Sequence, residues 1–99
     1  METLTLPQLS TLGIGKEYKI LTVTGVEGSL MPLHLSTKEA IIVVIRGKAV
    51  LSIGNKEIHL KPHHVSIIPA MQSHSISIKE YFEAYVIMAD DSEIKFINN

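Results

Sequence analysis

Turn residues break this chain of 99 residues at short, regular intervals. Gly25 to Gly28, Ser36 to Lys38, Gly47, Gly54-Asn55, Pro62-His63, Pro69 and Asp90-Asp91 supply the breaks. Between them the residues read as strands over Tyr18–Thr24, Leu30–Leu35, Ala40–Arg46, Ala49–Ile53, Glu57–Leu60, Val65–Ile68, His74–Ile78, Phe82–Met88 and Glu93–Ile97. No gap is long enough for a helix that crosses over a sheet, so the chain is expected to be all-β, a sandwich or barrel of antiparallel strands.

A chain of this length builds one core and one domain, 1–99. Its hydrophobic fraction is 45% with only 5% aromatic residues, so the core rests on Ile, Leu and Val, which favour strands. Ser75-Ile76-Ser77-Ile78 alternates as a half-buried strand does, but Ile41-Ile42-Val43-Val44-Ile45 is apolar on both faces. Both of its faces need cover, one from a second sheet and one from a partner subunit, and a homodimer is the expectation. Residues 1–16 intersperse leucines with polar residues around Pro7 and read either as an N-terminal edge strand or as an arm over a neighbour.

Nine basic and ten acidic residues give a net charge of −1, too weak a field to gather nucleic acid or an anionic membrane. The absence of cysteine removes disulfides, thiolate catalysis and cysteine-held metals, so any metal must use His and carboxylate ligands. Met1 to Gly13 lacks the basic and apolar regions of a signal peptide, and the longest apolar run, Ala40–Ile45, is far short of a membrane span. A cytoplasmic location is the expectation. No serine sits in a glycine-flanked elbow, and Gly13-Ile14-Gly15-Lys16 has neither the strand before it nor the helix after it that a phosphate cradle needs.

The stretch Gly28-Ser-Leu-Met-Pro-Leu-His34-Leu-Ser36-Thr-Lys-Glu39-Ala40-Ile-Ile-Val-Val-Ile-Arg-Gly47 resembles the first motif of the cupin family: glycine, five residues, His-x-His, three or four residues, Glu, six residues, glycine. Gly28, His34 and Gly47 fit in register; Ser36 stands for the second histidine, and Glu39 falls one residue before the glutamate position, which holds Ala40. His63-His-Val-Ser-Ile-Ile-Pro69-Ala-Met71-Gln-Ser-His74 resembles the second motif, with Pro69 and His74 matching and His63 and Met71 in place of its two glycines. The likeness spans Tyr18 to Met88 and implies a small double-stranded β-helix, or jelly roll. Two of the family's four ligand positions, those of His34 and His74, keep a ligand.

His34 and His74 are therefore the expected centre of a ligand-binding site. Ser36 is a hydrogen-bonding neighbour, Met71 narrows the mouth, and Met31 and Met88 are further wall candidates. Taken without the resemblance, each histidine reads as a satisfied core residue. Glu39 joins as a third metal donor only if a bulge turns it inward; otherwise it is a solvated turn residue. His59, His63 and His64 read as surface residues, because neighbours on a strand point to opposite faces and cannot easily share one ion. Tyr81, Phe82 and Tyr85 read as core or interface residues.

Two functions of different class follow. One is a small-molecule binding or sensing module of unknown ligand with a degenerate metal site. The alternative is a divalent-metal enzyme of the oxygenase or isomerase type, using His34 and His74, joined by Glu39 only if the bulge forms, to hold a weakly bound Zn, Fe, Ni or Mn. Metal-free acid–base catalysis by the two histidines is a weaker third, since no carboxylate is visible to orient an imidazole.

Overall fold

Alternation in the apolar run Ala40–Ile45 fixes which way the central sheet faces. In the computed structural model, which describes residues 5–97, Ile42 and Val44 are fully buried while Ile41 and Ile45 stay more than a third exposed. One face thus lies on the core, and the other is left partly open by the described residues.

Eight strands form among the described residues: β1 (Gln8–Ile14), β2 (Tyr18–Gly25), β3 (Leu30–Ser36), β4 (Ala40–Ile53), β5 (Lys56–Leu60), β6 (Val65–Ile68), β7 (His74–Ala89) and β8 (Ile94–Phe96). All pairings are antiparallel. The N-terminal segment contributes β1, an end strand hydrogen-bonded to β2, and its first four residues lie outside the described ones. No helix among the described residues is long and apolar enough to cross a membrane.

Two expected breaks are corners rather than strand ends. The Arg46 to Ala49 gap is bridged within β4, and the Ile78 to Phe82 gap within β7. These long strands pair with each other from Ala40↔Met88 to Ile53↔His74, with register shifts around Arg46 and Lys48. Past that bulged corner each strand changes sheets, which is how one chain curls into a barrel. The N-terminal half of β4 and C-terminal half of β7 join β6, β2 and β1; the other halves join β5, β3 and β8. Turn residues alone do not distinguish a corner from a loop, so the sequence divides each strand in two.

Gly47 sits at this corner with φ +83°, and a Cβ there would lie 1.8 Å from the Tyr81 carbonyl oxygen. Gly28, the first glycine of the same motif, also has positive φ. The two residues that stand for glycines in the second motif, His63 (φ 73°) and Met71 (φ 63°), keep the left-handed backbone as well. Each of these non-glycine residues holds that backbone at a strain of about 1–2 kcal/mol.

Between the two sheets lies the core, led by Phe82, Ile42, Leu51, Leu60 and Ile78. At one end of the barrel it gives way to a polar group.

Candidate functional site

His74 opens β7, and pairing carries its position sideways across the second sheet: Ile53↔His74, His74↔His34 and His34↔Phe96 form one row over four strands. Strict alternation would set Met31 and His34 on opposite faces of β3. The register shift between them, at Pro32 and Leu33, turns both inward, and Met31 is 5% and His34 6% exposed. Ser36 follows on the same face, 3% exposed, as is His74. Structure thus brings His34, Ser36 and His74 together.

The two imidazoles lie with ring centroids 4.2 Å apart and planes at 60°. Each Nδ1 is 2.7–3.0 Å from a backbone carbonyl, Pro32 for His34 and Gln72 for His74. A carbonyl only accepts, so each Nδ1 carries the hydrogen and each neutral ring keeps a lone pair on Nε2. Burial lowers the pKa of both rings below the ordinary histidine value, against the raising effect of those carbonyls, and the proximity of His74 lowers His34 further. At neutral pH the pair is uncharged. The Ser36 hydroxyl is buried and has no hydrogen-bond partner among the described residues, an arrangement that water or a ligand normally relieves.

These three groups face a cavity of about 40 Å³ whose remaining lining is apolar, including Leu21, Met31, Ile42, Val86 and Met88. The wall expectation for Met31 and Met88 therefore holds. Leu9 on β1, 38% exposed, is the lining residue most open to solvent. Phe96 closes the other flank of His34 at 5.5 Å between ring centres. Neither Leu9 nor Phe96 is marked out in the sequence, since both lie in terminal segments without a motif; the register supplies them.

Met71 and Glu39 are not part of this group. Met71 is 63% exposed and absent from the lining; its contribution is a backbone N–H that donates to the Ser36 carbonyl at 2.8 Å. A left-handed turn residue presents its backbone there and leaves its side chain in solvent. Glu39 is exposed because no bulge intervenes: Ala40 begins the regular pairing and lines the cavity, so its neighbour points away. The turn before it is tied by Thr37 N–H to the Glu93 carbonyl and by Glu93 N–H to the Thr37 hydroxyl, both at 2.9 Å. No group of three His, Asp or Glu residues positioned to hold a metal occurs among the described residues. His59, His63 and His64 are exposed, as expected.

The family described as AraC-like ligand binding domain matches residues 23–93. No curated protein matches the chain. Among solved structures, a cupin superfamily protein from Desulfitobacterium hafniense is 20% identical, with TM-score 0.79 over 92% of this chain and 84% of that one. A conserved protein with a double-stranded β-helix domain from Klebsiella pneumoniae is 18% identical, with TM-score 0.84 over 100% of this chain and 90% of that one. The DMSP lyase of Ruegeria pomeroyi is 19% identical, with TM-score 0.82 over 92% of this chain but 51% of that one. At these identities the structural likeness establishes the double-stranded β-helix fold, while the family match covers both motifs and all three polar residues of the cavity: the chain belongs to the AraC-like ligand binding domains, built on a cupin fold.

Proposed function

We infer that the chain is a non-catalytic module that binds a small molecule, with His34, His74 and Ser36 as its polar contacts. The observation that carries this reading is the unspent hydrogen-bonding capacity inside an apolar cavity: two Nε2 lone pairs and one orphaned hydroxyl. Such a set costs stability when left unmatched and gives specificity when a ligand matches it.

The residues do not fit the metal enzyme. Two imidazoles fall short of the three or four protein ligands that tight transition-metal sites use, and Glu39 faces away. Acid–base catalysis fares no better, because each Nδ1 is held by a carbonyl, which cannot stabilise an imidazolium as a carboxylate does. Purified protein analysed for Zn, Fe, Ni and Mn after dialysis is expected to hold far less than one ion per chain. One tightly retained ion per chain would overturn the reading.

The functional unit is proposed to be a homodimer. Pairing aligns Ile67, Ile41, Ile87 and Ile20 in one row on the outer sheet face, and Val65, Val43 and Tyr85 in a second beside it. Ile67 and Val65 are more than 60% exposed. Neither row carries a charge, and a second copy meeting it about a two-fold axis supplies the same aliphatic rows in return. Sedimentation velocity should give a dimer for the native chain and a folded monomer for Ile41→Lys/Ile67→Lys; a native monomer at high micromolar concentration contradicts the assignment.

A further inference from the structure

We propose that the ligand enters this cavity with an uncharged primary amide head, –C(=O)NH₂, the group shared by carboxamides and urea. The inference rests on the binding reading above and names its ligand class. Both Nδ1–H groups are committed to the carbonyls of Pro32 and Gln72, so the two rings offer two acceptors. The Ser36 hydroxyl is free to donate. The complement of that set is a group with two donors and one acceptor.

Size narrows the choice in the same direction. A cavity of about 40 Å³ has room for a small head group and not for a whole drug-sized ligand. The remainder of a longer ligand leaves past Leu9, the most exposed lining residue.

Other heads of this size leave a mismatch. A carboxylate brings two acceptors to two lone pairs and demands a proton on rings that burial keeps neutral. An alcohol has one donor for two acceptors. An ammonium satisfies both rings but finds no counter-charge, since the lining other than His34, Ser36 and His74 is apolar, and a buried unpaired charge is strongly disfavoured. In the amide, one N–H points to each Nε2 and the carbonyl accepts from Ser36.

Acetamide, urea, acetate and methylammonium serve as probes, titrated into the full chain at pH 7.5 while the ring Cε1–H signals of His34 and His74 are followed by NMR. Fragments this small bind in about the millimolar range. The expected result is saturable movement of both rings by acetamide, by urea or by both, with a dissociation constant at least tenfold below that of acetate or methylammonium. Ser36→Ala should weaken the amide roughly tenfold and leave folding intact, because the hydroxyl it removes has no protein partner. Tighter acetamide points to carboxamides, and tighter urea to ureido compounds. If acetate or methylammonium saturates the pair as well as the amides do, the amide head is wrong while the binding site stands. If none of the four moves either ring, both the head and the site reading fail.

Discussion

Gly47→Ala is expected to destabilise the chain by about 4 kcal/mol or more, at the extreme of single-substitution effects, and to leave much of the protein unfolded at 37 °C. Two penalties combine. At φ +83° an L-residue costs about 1–2 kcal/mol. The added methyl would also sit 1.8 Å from the Tyr81 oxygen and 2.8 Å from the Phe82 Cα, backbone atoms rather than a side chain that can swing aside. Phe82 is fully buried, so relieving the clash means separating β4 from β7 at the corner that joins the two sheets. Gly28→Ala isolates the first penalty, because its φ is +89° but no atom of the described residues lies within 4 Å of the new methyl; its cost should be about 1–2 kcal/mol. Urea denaturation of both variants makes the comparison. Equal losses would contradict the close approach of β4 and β7 at the corner.

Acidification is the second large effect. His34 and His74 have lowered pKa values in the folded chain, chiefly through burial, whereas in the unfolded chain both titrate near 6.5. Above pH 6.5 both states are neutral and stability is unaffected. As pH falls below 6.5 the unfolded chain takes up protons that the folded one refuses, so stability drops, and it goes on dropping until the folded pKa values are reached. Each ring contributes up to about 1.4 kcal/mol per pH unit, or about 2.7 for the pair. Denaturation midpoints measured from pH 7.5 to 5 should therefore fall in the native chain and fall much less in His34→Gln/His74→Gln. A native chain whose midpoint is flat over that range would mean that the rings are solvated or already charged.

Much of this is legible in the sequence. Turn residues at short intervals mark the strand beat, and the spacing of Gly28, His34, Gly47, Pro69 and His74 points to the fold and to His34 and His74 as neighbours. What escaped depended on register and backbone. Gly47 reads as a stop, yet only the facing Tyr81 carbonyl reveals it as a corner inside a strand. Met71 reads as an apolar wall, but its left-handed φ sends the side chain outward and leaves the N–H on Ser36. Glu39 depended on a bulge; the bulge lies instead at Pro32 and Leu33, where it turns His34 inward. The small cavity is invisible in sequence because it is the space left over when Leu21, Ile42 and Val86 meet from three strands.

A crystal structure of the purified chain near 1.5 Å resolution tests the central claim most directly. The prediction is discrete density between His34 and His74 at hydrogen-bonding distance, about 2.7–3.2 Å, from both Nε2 atoms and from the Ser36 hydroxyl. A single ion at about 2.0–2.2 Å from both nitrogens, completed by ligands from elsewhere, would contradict it.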